Sequence, residues 1–273
     1  MEPDRNLAIG VFDSGIGGIS VLAELIAYLP TEKYVYYGDS KNAPYGIRST
    51  EEVKELSFNV VNILLEEGIK GLVVACNTAT SGVGEDIRNT LDIPIVGMEP
   101  ALKPAVGLNK KGKIIVMATP VTLREKKFNK LVECFDGQAE IIKLPCPGLV
   151  EIIEKTGGKS QEVQRYLIEL FSPFDMKEVA VIVLGCTHYI FIKEDIIKLA
   201  GNTVDLIDGN RGTAKQLKRL LQQHHLLNKE VNQQPTEVLL MNSDDSKETL
   251  ILCKNLLEEQ LDFLGWKGSL KYI

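Results

Sequence analysis

A chain of 273 residues, 44% hydrophobic and 25% charged, can bury a sizeable core, and its length suggests about two domains. Its net charge of −6 excludes the basic face that nucleic-acid binding needs, and no apolar run approaches the ~18 residues of a membrane helix. The opening MEPDRNLAIGVFDSG lacks the pattern of a secretory signal, and five cysteines without framework spacing point to free thiols in a reducing cytoplasm.

Apolar runs then alternate with helix-period segments. The first candidate strand (7–12) leads into Asp13-Ser14-Gly15-Ile16-Gly17-Gly18. This turn is not a dinucleotide fingerprint: Ser20 stands where the third glycine belongs, and Asp13 would repel a pyrophosphate. The glycines suit close backbone approach to a small ligand. Asp13 is then a candidate orienting carboxylate and Ser14 a candidate donor, with helix capping as the plain alternative for both. A second strand (33–38) runs to Asp39. The loop Asn42-Ala43-Pro44-Tyr45-Gly46 follows, offering the Tyr45 hydroxyl and the Gly46 N–H. A helix over 49–67 opens with Ser49 and Glu52 at capping-box spacing.

The next strand (70–75) delivers Cys76, followed by Asn77, Thr78, Thr80 and Ser81 at a helix start. Further strands are read at 93–97, 113–118, 139–144, 179–185, 203–207 and 236–241, with KKGK (110–113) as a solvated strand entry. Thr119 and Thr122 flank Pro120 and read as caps. Cys134 and Cys253 fall in helical patterns and read as core. Cys146, in LPCPG, is a loop cysteine without a residue-level interpretation. The strand at 179–185 delivers Cys186, then Thr187 and His188; His224-His225 read as an exposed helix end.

Short apolar strands alternating with helices mean parallel sheets covered on both faces, so the fold class is α/β, doubly wound rather than barrel. VFDSG (11–15) and VMATP (116–120) form a weak repeat, each followed by a cysteine strand at 63 and 67 residues. This suggests two facing flavodoxin-like lobes. One spans about 1–97 with the C-terminal segment 208–273 returning to it; the other spans 98–207. Ligands of such sheets bind at strand C-termini, where the polar motifs collect.

Cys76 and Cys186, 110 residues apart, sit in matching places. Buried packing is the plain reading of a free cysteine. A thiol just past a strand and at a helix start is instead placed for a lowered pKa. Two such thiols, facing one substrate from opposite sides, suit inversion of a carbon stereocentre. His188 either orients the Cys186 thiol or is a satisfied structural imidazole. CxxC and HxxxH spacings are lacking, so no metal is expected.

DSGIGG (13–18), GDSKNAPYG (38–46), ACNTAT (75–80) and GCTHY (185–189), in this order, resemble the glutamate racemases of the aspartate/glutamate racemase superfamily. The resemblance implies two pseudo-symmetric lobes with the active site between them, cofactor-independent catalysis and a homodimer. It further implies interconversion of L- and D-glutamate, supplying D-glutamate for peptidoglycan in the cytoplasm. It assigns Cys76 and Cys186 as the catalytic thiols, assisted by Asp13 and His188. Asp13-Ser14, Tyr45-Gly46, Asn77-Thr78 and Thr187-His188 become substrate-binding pairs. Thr119 and Thr122 fall near a substrate carboxylate, and Glu154 supports the His188 side. The chain departs from the family at Ile190, where proline is usual, and at Gly209, where serine is common. Alternatives are an aspartate or hydantoin racemase, a non-catalytic binder of acidic amino acids, and a nucleotide-dependent enzyme using the DSGIGG loop.

Overall fold

The computed structural model describes residues 4–228 and 235–273. The elements in chain order begin β1 (Ala8–Asp13), α1 (Ile19–Tyr28), β2 (Tyr34–Gly38), α2 (Thr50–Glu66), β3 (Ile69–Val74), α3 (Asn77–Thr90), β4 (Ile95–Gly97) and α4 (Leu102–Gly107). They continue with β5 (Lys113–Ala118), α5 (Pro120–Arg124), α6 (Lys126–Glu133), β6 (Ile141–Pro145), α7 (Leu149–Thr156), α8 (Gln161–Phe171), β7 (Val179–Leu184) and α9 (Lys193–Ala200). The last are β8 (Asp205–Ile207), α10 (Asn210–Gln223), β9 (Thr236–Asn242), α11 (Lys247–Phe263) and β10 (Leu270–Tyr272).

The strands form two parallel sheets, ordered β10-β9-β2-β1-β3-β4 and β6-β5-β7-β8. Setting β9 and β10 aside, the two orders are the same: the first strand of each half is central, the second and third flank it, and the fourth is an edge. The register slips at matching places too, between Ala8 and Ile9 against β3 and between Lys113 and Ile114 against β7. The weak sequence repeat is therefore a repeat of backbone topology. Each sheet with its helices forms one lobe. The chain passes to the second lobe at α4, which packs on β5 and β7, and returns at α10, which packs on α1, β3 and β4.

Strands β1, β3, β5 and β7 are almost wholly buried, as strands covered on both faces must be. Clusters of buried aliphatic residues lie on both faces of each sheet. Helix α2 carries the anticipated capping box: Glu52 N donates to Ser49 Oγ at 3.2 Å, and Ser49 N donates to Glu52 Oε2 at 2.9 Å. Gly68, at φ 74°, takes the left-handed position that ends the helix.

Three expectations need correction. Residues 270–272 form a strand, β10, that the sequence reading left out; Leu-Lys-Tyr is too short to show alternation, and only its partner β9 defines it. Cys134 is exposed at the end of α6, not core, because the helix turns that end to solvent. Cys186 is followed by a 3-10 turn, Thr187–Ile192, with no side-chain cap, rather than by an α-helix start.

Candidate active site

The site grows from strand ends held at equal height. Ala75 N donates to Phe12 O at 2.8 Å, and Gly185 N donates to Met117 O at 2.7 Å. In the same way Asp39 N donates to Asp13 O, and Cys146 N to Ala118 O, both at 3.0 Å. These ladders place Cys76 and Cys186 two residues beyond β3 and β7, each in its own lobe. They also give Cys146 a meaning: it is the second lobe's counterpart of Asp39.

Both thiols line one small cavity, together with Ser14, Tyr45-Gly46, Asn77-Thr78, Thr119 and Thr187-His188. Pro44 and Val150 complete the wall. The cavity volume is about 10 Å³, room for one water at most. Asp13, Thr122 and Glu154 stand behind this wall and reach it through other side chains. Asp13 Oδ1 accepts from Gly15 N at 3.0 Å, and its Oδ2 accepts from Thr187 Oγ1 of the other lobe at 3.1 Å. Thr122 closes a triangle of hydroxyls with Thr78 and Thr119, at 3.3 and 3.0 Å, the third side being 3.1 Å. Glu154 bonds to His188.

Cys76 caps α3: Ala79 N donates to its Sγ at 3.4 Å, and Ser14 Oγ lies 3.4 Å away. The anticipated lowering of its pKa does not follow. Burial, reinforced by the charge of Asp13, pushes the thiol up to about 12, and the Ser14 and Ala79 contacts only partly oppose this. Burial likewise raises Asp13 to about 6, against the pull of His188 and the Gly15 N–H. Cys186 has a different partner: its Sγ is 3.7 Å from His188 Nδ1, and His188 Nε2 donates to Glu154 Oε1 at 2.5 Å. A carboxylate only accepts, so this bond fixes the hydrogen on Nε2. Burial alone would lower the pKa of His188; its bonds to Cys186 and Glu154 outweigh burial and hold it well above the ordinary value.

The lining is rich in hydroxyls and holds one orphan. Asn77 Oδ1 is buried without a hydrogen-bond partner, while Asn77 Nδ2 is 3.5 Å from Met98 O. An unpartnered acceptor on the cavity wall suits a ligand N–H, and the threonine hydroxyls suit carboxylate oxygens.

Residues 9–217 match the Asp/Glu/Hydantoin racemase family. A glutamate racemase from Clostridium novyi (strain NT) is 54% identical over 255 residues, spanning 92% of this chain and 97% of its own length. The chain belongs to the glutamate racemase family. Among solved structures, glutamate racemase isoform RacE1 from Bacillus anthracis superposes with a TM-score of 0.79 at 31% identity, covering 98% of both chains. The glutamate racemase from Francisella tularensis subsp. tularensis SCHU S4, solved in complex with D-glutamate, gives 0.80 at 27% identity, covering 98% of this chain and 96% of its own. The chain is thus an isomerase of the amino-acid racemase type, and none of its described helices is long and apolar enough to cross a membrane.

Two further groups shape this racemase's site: Asp39, a strand-end acid to which the sequence alone assigns no role, and Val150. Asp39, buried at the end of β2, accepts from Tyr45 OH at 2.7 Å and from Asn42 Nδ2 at 3.0 and 3.1 Å, so it holds the Tyr45 loop. Its sequence signal, an acidic residue closing an apolar strand, was visible but lacked a partner to give it a role. Val150, on α7, closes the cavity from the second lobe, and nothing in its sequence context marks it.

Proposed function

We propose that this protein interconverts L- and D-glutamate without a cofactor by a two-base mechanism, with Cys76 and Cys186 on opposite faces of the substrate. The observation that carries the reading is that one thiol from each lobe lines the same small cavity. The α-proton of glutamate is weakly acidic. Its removal needs a base on one face, an acid on the other, and donors for the charge that develops on the carboxylate.

Cys76 deprotonates D-glutamate and Cys186 deprotonates L-glutamate. In each direction one sulfur acts as thiolate and the other as thiol. Asp13 serves the Cys76 side, and His188, backed by Glu154, serves the Cys186 side. Asn77 Oδ1 takes the substrate ammonium. The Thr78, Thr119 and Thr122 hydroxyls, with Ser14, Thr187 and the Gly46 N–H, hold carboxylate oxygens. The product D-glutamate serves peptidoglycan synthesis in the cytoplasm, and the enzyme works as a homodimer. The lobes comprise residues 1–97 with 208–273, and 98–207.

The test is racemisation of each enantiomer, followed by circular dichroism without added cofactor, for the wild type, Cys76→Ala and Cys186→Ala. The wild type should convert both, and each variant should lose conversion. In D₂O, deuterium should appear first in the product enantiomer. Wild-type rates in either variant, or equal early labelling of recovered substrate and product, would refute the two-thiol scheme. Activity on aspartate but not glutamate would overturn the substrate assignment.

A further inference from the structure

The polar chain behind Cys186 does not stop at Glu154. Ser40 Oγ donates to Glu154 Oε2 at 3.1 Å, and Asn242 Nδ2 donates to Ser40 Oγ at 3.1 Å. Ser40 opens the 3-10 turn after β2, and Asn242 ends β9. The Asn242 amide has its orientation fixed, because its Oδ1 accepts from Asp244 N at 2.8 Å. Its Nδ2 therefore faces Ser40, whose own hydrogen is left for Glu154. Gly38 makes room for this approach: a Cβ there would stand 2.8 Å from Asn242 Nδ2.

Both oxygens of Glu154 are thus occupied. Oε1 receives His188 Nε2 and, at 2.7 Å, Ile16 N; Oε2 receives Ser40. Three contacts fix the plane of the carboxylate, and with it the imidazole that faces Cys186. Two of them, Ile16 and Ser40, come from the first lobe, whereas Glu154, His188 and Cys186 belong to the second. Cys76 differs in that Ser14 and Asp13 come from its own lobe.

We propose that Ser40, aimed by Asn242, is a positioning residue for the Cys186 side: it fixes the Glu154 carboxylate that orients His188, and does so across the cleft. The inference rests on the two-thiol reading above. Its consequence is that the Cys186 side is fully assembled only when the lobes are closed on each other.

The test compares the wild type with Ser40→Ala and Ser40→Thr, which keeps the hydroxyl. The first readout is the downfield ¹H resonance of the His188 imidazole N–H. It is separable because His188 is buried while the other two histidines, His224 and His225, are exposed. The second is kcat/KM for both enantiomers. The two enantiomers have equal free energy in water, so their kcat/KM values must fall together in any variant. Ser40→Ala should shift or broaden the resonance and lower both kcat/KM values by about tenfold, the loss of one hydrogen bond to a charged group. Ser40→Thr should restore both. A resonance unmoved in Ser40→Ala, with or without a fall in rate, overturns the inference, as does a threonine variant no better than alanine. A wild type that converts neither enantiomer overturns the racemase reading and the inference with it; one that converts both while the resonance stays fixed in Ser40→Ala overturns the inference alone.

Discussion

Replacing Asp13 with asparagine is expected to stabilise the protein at neutral pH while lowering its activity. The carboxyl is fully buried, and burial raises its pKa from 3.8 to about 6. Folding therefore leaves the native state holding a proton between about pH 4 and pH 6, where the unfolded chain has released it. Stability falls as pH rises through that window and levels off above it. At 1.36 kcal/mol for each pH unit, the native carboxylate costs about 3 kcal/mol at pH 7. Asparagine carries no charge and can keep the bond from Gly15 N to its Oδ1. It loses the fit to Thr187 Oγ1, worth about 1 kcal/mol. The net gain is about 2 kcal/mol at pH 7 and about −1 kcal/mol at pH 4. Urea unfolding midpoints for both proteins at pH 4, 5, 6 and 7 read the difference directly. A stability gap that stays constant across these pH values would rule out a titrating Asp13 carboxyl as its source.

The other predictions concern the same residues and one distant pair. If Asp13 must be ionised to take the Cys76 proton, the racemisation rate should fall as pH drops below about 6, and that limb should be missing from the residual activity of Asp13→Asn; a limb that persists in the variant assigns it elsewhere. Gly15→Ala puts a Cβ 1.9 Å from Glu154 Oε1, so the flexible carboxylate must move and release His188 and Ile16. Activity should fall by about 10²-fold with little change in melting temperature, and near-wild-type turnover would show that the placement of Glu154 is immaterial. Lys70 and Glu32 form an ion pair 2.5 Å long with side chains 1% and 0% exposed, far from the cavity at the other end of the sheet. Lys70→Met leaves the buried Glu32 carboxylate with the Asn228 N–H at 2.8 Å but without its cation, and should cost about 3–5 kcal/mol in urea denaturation, with kcat unchanged at low temperature; a loss below about 1 kcal/mol would mean that Glu32 finds other compensation.

Much of the fold was legible because its signals are local. Apolar runs of four to seven residues marked all the long strands, and Ser49 with Glu52 marked a helix start that the hydrogen bonds reproduce. What escaped depends on distant parts of the chain. Residues 270–272 become a strand only against β9, and Cys134 falls on the outer side of a helix whose pattern alone did not fix its burial. The candidate site divides the same way. The residues that line the cavity sit at strand ends and turn starts, where sequence places polar groups by the topology of a parallel sheet. The residues behind them join over long separations, 138 positions for Ile16 with Glu154 and 202 for Ser40 with Asn242, and no spacing rule reaches that far. The Cys76 pKa failed for a related reason. The helix-start amide is real, but burial and the Asp13 charge are tertiary effects and they outweigh it.

The two halves share a backbone but not a chemistry. The strand-end ladders equate Asp13 with Ala118 and Asp39 with Cys146, so the first lobe places carboxylates where the second places a methyl group and a buried thiol. Two residues beyond the aligned cysteines stand Thr78 and His188. Thr78 joins the hydroxyl triangle, whereas His188 joins Glu154. Repetition of the sheet thus supplies what symmetry can supply, two thiols at facing strand ends. It does not supply the polar groups beside them, which come from unrelated elements: the end of β1 and its turn near Cys76, and α7 with the turn after β7 near Cys186. A cavity of about 10 Å³ adds a constraint, since it holds no more than one water. On the function proposed above, glutamate needs more room than this, and any parting of the lobes to admit it would break the Thr187–Asp13, Ile16–Glu154 and Ser40–Glu154 bonds together. Each of these bonds ends on Asp13 or Glu154, the two carboxylates behind the cavity wall. On the proposed two-thiol scheme, opening the cleft would dismantle the polar groups beside both cysteines, and closing it around substrate would rebuild them in a space from which water is expelled.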